Sequence, residues 1–121
     1  MIHFDMHIAS GESRIYPPSS AVMEAMPTLR FTIEYPLTNP FHFNETHDNG
    51  LGWTEVEFAD AVRRAYTQVY ESEPDPGHIP GMLNRGKSEG AYGIWGHDLG
   101  DLYLEGAVRE DDGSWRLLVG S

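Results

Sequence analysis

Hydrophobic and polar residues alternate in two stretches of the N-terminal half. The apolar positions are Ile2, Phe4, Met6 and Ile8 in the first stretch, and Leu29, Phe31, Ile33 and Tyr35 in the second. A period of two is typical of a strand with one buried face, so strands are predicted over residues 1–8 and 29–35. The segment 9–28 between them is interrupted by glycine, serine and proline. It is predicted to be a loop or arm that could hold one helical turn at residues 21–26.

Helical spacing replaces this alternation after residue 53. Apolar side chains recur along one stripe, formed by Phe58, Val62, Ala65, Tyr66 and Val69 and widened by Ala59 and Tyr70. Thr54 and Glu57 have the spacing of a capping box, and Trp53 and Phe58 that of a hydrophobic staple. Pro74 and Pro76 follow the stripe. A helix is therefore predicted from Thr54 to about Ser72.

The C-terminal third predicts short strands joined by turns. Strands are expected at residues 92–95, 102–108 and 115–119, with turns at 96–100 and 110–114. Residues 41–52 are polar and glycine-rich, and are predicted to be a loop. The chain is therefore predicted to be one domain, residues 1–121, of the two-layer α+β class. One main helix should pack on a four- to five-stranded, mostly antiparallel sheet that ends in a C-terminal β-meander.

Charge and composition exclude several functions. The chain has 121 residues, with 19 acids against 8 bases and a formal net charge of -11. This surface repels phosphate backbones, so no direct contact with nucleic-acid phosphates is expected. No apolar run approaches the roughly 20 residues of a membrane span, and no export signal is visible, so a soluble, cytoplasmic protein is expected. Cysteine is absent, which removes disulfides and thiolate chemistry.

The stretch from residue 84 to residue 102 concentrates residues that could form a site. Its candidate ligand-binding residues are Asn84, Arg85, Tyr92, Trp95, His97, Asp98 and Asp101. Arginine can clamp an anion, an aromatic ring can stack, and a histidine oriented by an acid can exchange protons near neutral pH. The alternative interpretation is a scaffold, in which the acids make turn hydrogen bonds and the rings pack in a tight hairpin.

Histidines elsewhere raise the question of a metal. His3, Asp5 and His7 lie on one side of the first predicted strand, and the 41–52 loop adds His42, His47 and Asp48. Their spacing matches no known zinc motif, and no cofactor is predicted. Metal binding by His3, His7, His42 or His47 is left open. Phosphate-binding loops, dinucleotide fingerprints and nucleophile elbows are absent from the sequence.

Three functional classes follow from these observations. The leading hypothesis is a small acidic binding domain that recognises a partner protein or a small polar ligand through the 84–101 surface, aided by residues 39–53. The alternative is a small hydrolase with His97 as general base, oriented by Asp98 or Asp101, or with a histidine-bound metal. A third hypothesis is an acidic inhibitor that imitates nucleic-acid charge. Aromatic residues near loops and strand ends could line a pocket or an interface, and self-association is left open: Tyr35, Phe41, Phe43, Trp53, Tyr92, Trp95 and Tyr103.

Overall fold

Strands from both halves of the chain form one sheet, and a single long helix packs across it. The computed structural model describes residues 1–74 and 87–121. Its elements are β1 (Ile2–His7), β2 (Val22–Glu24), β3 (Thr28–Ile33), β4 (Phe41–Thr46), β5 (Trp53–Thr54), α1 (Glu55–Ser72), a 3₁₀ turn (Leu99–Asp101), β6 (Tyr103–Arg109) and β7 (Trp115–Gly120). The two-layer α+β class predicted from the sequence is confirmed.

The main sheet has five strands in the order β1-β6-β7-β3-β4. Its C-terminal part is the β6–β7 hairpin, and β1 lies antiparallel to β6 at one edge. The sheet is mostly antiparallel, but β3 and β7 run parallel. That parallel ladder is short, because only Phe31 and Thr32 pair with Trp115 and Arg116. The two halves of the sheet are therefore joined by its shortest ladder.

Helix α1 begins where the sequence predicts. The Glu57 amide donates to Thr54 Oγ1 at 3.2 Å, and the Thr54 amide donates to Glu57 Oε1 at 2.9 Å, which completes the capping box. The predicted apolar stripe is buried against the sheet. Phe58 lies at its centre, with ring centroids 5.8 to 5.9 Å from those of Phe4, Phe31 and Trp115.

The segment predicted as a polar loop at residues 41–52 begins with a strand. β4 pairs with β3 along its whole length, and Phe43 stacks on Phe31 with centroids 4.4 Å apart. Its inward positions are partly buried and its outward positions are exposed. The prediction was wrong because the third inward position of this edge strand is Glu45, which pairs with Arg64 of the helix, so only Phe41 and Phe43 show the apolar alternation.

The helical turn considered at residues 21–26 is also wrong. Val22–Glu24 is instead a strand, β2, which pairs with β5 in a separate two-stranded sheet. The Glu24 carboxylate is buried and accepts hydrogen bonds from Arg109 Nη1 at 2.9 Å and Trp115 Nε1 at 3.3 Å. This long-range anchoring favours the extended conformation over a local helical turn.

The strand predicted at residues 92–95 is reduced to one isolated bridge between Ile94 and Leu37. The side chain of Glu73 holds this segment instead. It is buried and accepts hydrogen bonds from Ser88 Oγ, the Gly93 amide and the Tyr92 amide. A side chain thus supplies contacts that a neighbouring strand would otherwise provide.

In residues 1–74 and 87–121, no helix is long and apolar enough to cross a membrane.

Candidate ligand-binding cleft

A cleft opens where strands β3 and β7 separate. β3 ends at Ile33, and the chain then turns, with the Leu37 amide donating to the Glu34 carbonyl at 2.8 Å. β7 continues along β6 to Gly120 without pairing to β3. The resulting space, here called the β3–β7 cleft, has a volume of about 420 Å³. Its lining extends from residue 114 along β7 to residue 119, and on the β3 side it includes Thr32, Glu34 and Tyr35.

The wall of the cleft is set by a buried tyrosine of the helix. The Tyr66 hydroxyl donates to the Tyr35 carbonyl at 2.7 Å. Burial raises the pKa of Tyr66 well above its usual range, so the phenol stays neutral and acts as a donor. This hydrogen bond fixes the backbone of Tyr35 at the point where β3 leaves the sheet.

Acidic side chains dominate the charged lining. The cleft is bordered by Glu34, Glu105, Glu110 and Arg116. Arg116 Nε donates to Glu110 Oε1 at 2.8 Å, so these two charges neutralise each other. Among the described residues, neither Glu34 nor Glu105 has an ion pair. The lining therefore carries an excess of negative charge.

A cluster of rings and polar groups adjoins the cleft through Tyr35, which belongs to both. The Tyr35 ring centroid lies 6.3 Å from that of Trp95 and 5.8 Å from that of His97. The Trp95 side chain is 47% exposed, although it is a large apolar ring. We call Tyr35, Trp95, His97, Asp101 and Ser121 the His97 cluster.

Hydrogen-bonding groups connect the polar members of the His97 cluster in series. The Tyr35 hydroxyl lies 3.0 Å from Ser121 Oγ, which in turn lies 3.3 Å from His97 Nε2. On the other side of the imidazole, Nδ1 is 3.6 Å from Asp101 Oδ2. The imidazole therefore lies between a hydroxyl at hydrogen-bond distance and a carboxylate at ion-pair distance, and the carboxylate would stabilise the ring in its protonated form.

Contacts from the helix and from the 3₁₀ turn hold His97 in this place. The Tyr70 hydroxyl donates to the His97 carbonyl at 2.9 Å. Asp101 Oδ2 also accepts the Asp98 amide at 3.0 Å, and the Asp101 amide donates to the Asp98 carbonyl at 3.0 Å. The carboxylate facing the imidazole is therefore part of a closed turn.

The loop that leads to Trp95 is ordered by a buried serine. The Ser88 amide donates to the Ile94 carbonyl at 2.7 Å, and the Ile94 amide donates to Ser88 Oγ at 2.8 Å. Ser88 Oγ itself donates to Glu73 Oε1 at 2.8 Å. Trp95 thus follows directly after a loop that is anchored to the C-terminal end of α1.

The structure brings together only part of the set predicted from the sequence. Trp95, His97 and Asp101 meet in the His97 cluster, and Asp98 joins them through its backbone. The Tyr92 ring instead packs against Phe41, with centroids 5.6 Å apart. Asn84 and Arg85 lie outside the described residues, so the predicted anion clamp has no described position.

Sequence reasoning missed the residues that distant strands contribute. Tyr35 was recognised as an aromatic residue that could line a pocket, but Glu34, Glu105 and Ser121 were not connected with His97. Their position depends on the parallel pairing of β3 with β7 and on the register of β6. No local pattern in the sequence carries that information.

The histidines considered as metal ligands are engaged in separate contacts. The His7 ring lies between Ser10 Oγ and the Gly100 carbonyl, each 2.7 Å away, and the His3 ring packs near Tyr16. Asp5 accepts backbone amides of residues 14–16. Within the part of the chain that the structure describes, no group of three or more histidine or acidic side chains could hold a metal ion.

Comparison of the chain with protein-family models, curated proteins and solved structures found no match. The geometry of the cleft and of the His97 cluster is therefore the basis for the functional argument.

Proposed function

We propose that this protein is a small binding domain whose β3–β7 cleft and His97 cluster together recognise a small polar ligand. The observation that supports the proposal is Tyr35, which lines the cleft and also contacts Trp95, His97 and Ser121. Concave sites of this size, with rings and a few convergent polar groups, are typical of ligand-binding sites. The ligand would stack on the exposed indole and hydrogen-bond to the hydroxyl and imidazole groups.

The three tryptophans allow a direct test. Trp95 is exposed, whereas Trp53 and Trp115 are buried and donate their indole N–H groups to Pro27 and Glu24. The test records ¹H–¹⁵N NMR spectra during a screen of small polar fragments that are cationic, neutral or anionic. We expect some fragments to shift the Trp95 indole signal and the amides of residues 116–119, leaving in place the indole signal of Trp53, which does not line the cleft.

Two variants complete this experiment. Replacing Tyr35 with alanine should weaken binding of the same fragments at least tenfold, or about 1.4 kcal/mol. Replacing Tyr16, another exposed tyrosine, with alanine is the matched control and should leave the affinity unchanged. A complete screen without any shift at Trp95, or equal affinity of the Tyr35→Ala variant, would contradict the proposal.

A second candidate function, hydrolysis of an ester or amide, is favoured by the placement of Ser121 beside His97. In this reaction Ser121 Oγ would attack the acyl carbon while His97 Nε2 takes its proton, and the imidazolium would then protonate the leaving group. Water, deprotonated by the same imidazole, would release the acyl group and restore the serine. Asp101 would orient the ring from the Nδ1 side.

This second candidate is tested with p-nitrophenyl acetate as substrate. If His97 and Ser121 act together, His97→Ala and Ser121→Ala should each lower the rate about a hundredfold, which is typical of a lost proton-transfer group. His42→Ala is the control, because an exposed histidine elsewhere contributes only background hydrolysis. Equal rates for all four proteins would exclude the hydrolase and leave the binding proposal standing.

A further inference from the structure

We infer that the ligand of the β3–β7 cleft carries a positive charge, as a guanidinium or primary ammonium group. The inference rests on the proposed function, and it names the chemical class that the site would select. Its physical basis is the combination of two carboxylates without an ion pair in the cleft lining, the half-buried ring of Tyr35 and the exposed ring of Trp95 next to it.

The carboxylates are available to a ligand because the basic residue of the cleft is already paired. Arg116 lies at 2.8 Å from Glu110, which leaves Glu34 and Glu105 without a cationic partner among the described residues. Both residues are exposed at the border of the cleft, so each charge alone is screened by water, and the attraction for a cation comes from two negative charges that border the same concave space.

Glu105 lies at the end of the cleft nearest to the His97 cluster. A Cβ atom at Gly120 would collide with Glu105 Oε1, so the carboxylate lies directly against the backbone of that glycine. Gly120 precedes Ser121, whose hydroxyl contacts both Tyr35 and His97. The negative charge of Glu105 is therefore close to the hydrogen-bonding groups assigned to ligand recognition.

The rings provide the second attraction for a cation. Tyr35 and Trp95 meet edge to face, with an interplanar angle of 80°, and this arrangement leaves a ring face open instead of stacking the two faces together. A cation over the face of tryptophan or tyrosine gains about 0.5–2 kcal/mol, the larger value when it is desolvated. An anion would be repelled by the same faces and by both carboxylates.

The charge of the whole molecule acts in the same direction. A net charge of -11 raises the concentration of cations near the surface and lowers that of anions. A neutral ligand that only forms hydrogen bonds would gain nothing from this electrostatic field. The inference therefore predicts discrimination by charge between ligands of nearly identical shape.

The experiment compares methylguanidinium, methylurea and acetate by titration against the Trp95 indole signal. Methylguanidinium and methylurea have nearly the same shape and differ in charge. We expect saturable binding of methylguanidinium, at least tenfold tighter than that of methylurea, and no shift with acetate. Raising the salt concentration should weaken the methylguanidinium complex.

Two double variants distinguish the effect of the cleft carboxylates on ligand affinity from the effect of the net charge of the whole molecule. In Glu34→Gln/Glu105→Gln, methylguanidinium should bind at least tenfold more weakly. Asp48→Asn/Glu71→Gln removes the same formal charge at exposed positions outside the cleft and should change the affinity less than twofold. Dispersed NMR spectra of both variants establish that the fold is retained.

The outcomes distinguish this inference from the proposed function. If methylurea or acetate shifts the Trp95 signal as strongly as methylguanidinium, the charge class is wrong and the binding site remains. If methylguanidinium does not shift it, or if both double variants weaken binding equally, the inference is overturned. The broader fragment screen then decides the proposed function independently.

Discussion

At the scale of single residues, two carboxylates organise backbone segments that have no regular structure. Glu73 accepts two amides and a serine hydroxyl near residues 88–93, and Asp5 accepts the amides of residues 14–16. A carboxylate has several acceptor positions, so one side chain can satisfy a whole turn of backbone donors. Glu73 also determines where Trp95 emerges, which connects this residue with the candidate site.

Replacing Glu73 with alanine should destabilise the protein by about 2–3 kcal/mol, because several buried donors lose their acceptor at once. The free energy of unfolding from urea denaturation measures this effect. Trp95 fluorescence in the native state should also change, since the loop before it loses its anchor.

The control for Glu73 is its exposed neighbour Glu71. Glu71→Ala removes the same chemical group from the helix surface and should alter the free energy of unfolding by less than about 0.5 kcal/mol. Equal losses of unfolding free energy in Glu73→Ala and Glu71→Ala would show that the buried hydrogen bonds of Glu73 do not stabilise the fold.

Asp5 should make stability depend on pH in the acid range. Hydrogen bonds from the amide of Ile15, and then from those of Tyr16 and Arg14, hold the pKa of Asp5 below its ordinary value of 3.8. Because the pKa is lower in the folded state, the carboxylate stabilises the fold above the ordinary value, and this contribution is lost as pH falls through the folded pKa. Asp5→Asn imitates the protonated side chain.

Urea midpoints measured between neutral and strongly acid pH test this sign. The wild-type protein should have a higher urea midpoint than Asp5→Asn at neutral pH, and the difference should shrink towards zero as the pH falls through the folded-state pKa, which lies below 3.8. Asp48→Asn, at an exposed loop position, controls for the loss of one negative charge. A constant difference between wild type and Asp5→Asn at every pH would contradict the assigned role.

At the scale of elements, the helix is the part of the fold most strongly determined by local signals. The capping box and the hydrophobic staple both predicted its start, and Trp53 and Phe58 are buried at the two positions of the staple. The amide of Thr54 lowers the pKa of Glu57, as expected for a carboxylate that caps a helix. Each of these interactions spans only a few residues.

Removal of the cap should weaken the helix start. Thr54→Ala should cost about 1 kcal/mol of unfolding free energy, because the Glu57 amide loses its acceptor, whereas Thr54→Ser should retain most of the stability. Thr67→Ala, in the middle of the same helix, is the matched control and should be neutral or slightly stabilising. The free energies of unfolding of the three variants are measured by chemical denaturation. An unchanged free energy of unfolding in Thr54→Ala would contradict the capping role.

The elements missed from the sequence depend on partners far along the chain. β1 and β3 have clear alternation and were predicted. β4 and β2 were missed, because they are recognised as strands only from their pairing with β3 and β5 respectively. The residues of the candidate site also fall into a group that was predicted from the sequence and a group that was missed. Trp95, His97 and Asp101 belong to one short stretch and were predicted together, whereas Tyr35, Glu105 and Ser121 join them only through the order of strands in the sheet.

At the scale of the whole molecule, basic side chains are largely engaged with internal acceptors. Arg64 contacts Glu45 and Asp60, Arg116 contacts Glu110, and Arg63 donates to the carbonyls of Ile8 and Ala9. Among the described residues, these pairings leave Glu34 and Glu105 without an ion pair, which agrees with the inferred preference of the cleft for a cation.

An ion pair between Glu24 and Arg109 joins the two sheets of the molecule. Glu24 belongs to β2 of the small sheet and is 1% exposed, while Arg109 belongs to β6 of the main sheet and has a side chain that is 46% exposed. Glu24 also accepts the Met26 amide and the Trp115 indole N–H. Removal of Arg109 therefore leaves a buried carboxylate, whereas removal of the Glu24 charge leaves an arginine side chain that is already half exposed.

This asymmetry predicts unequal effects in a double-mutant cycle. Arg109→Met leaves a buried carboxylate without its cation and should cost about 3 kcal/mol, whereas Glu24→Gln leaves an arginine that can turn into water and should cost about 1–2 kcal/mol. The double variant should cost less than the sum of the single variants, because glutamine needs no cation. Urea denaturation of the four proteins measures the cycle. If Glu24→Gln proves as costly as Arg109→Met and the effects add, the link between the sheets depends on packing and not on the charge of Glu24.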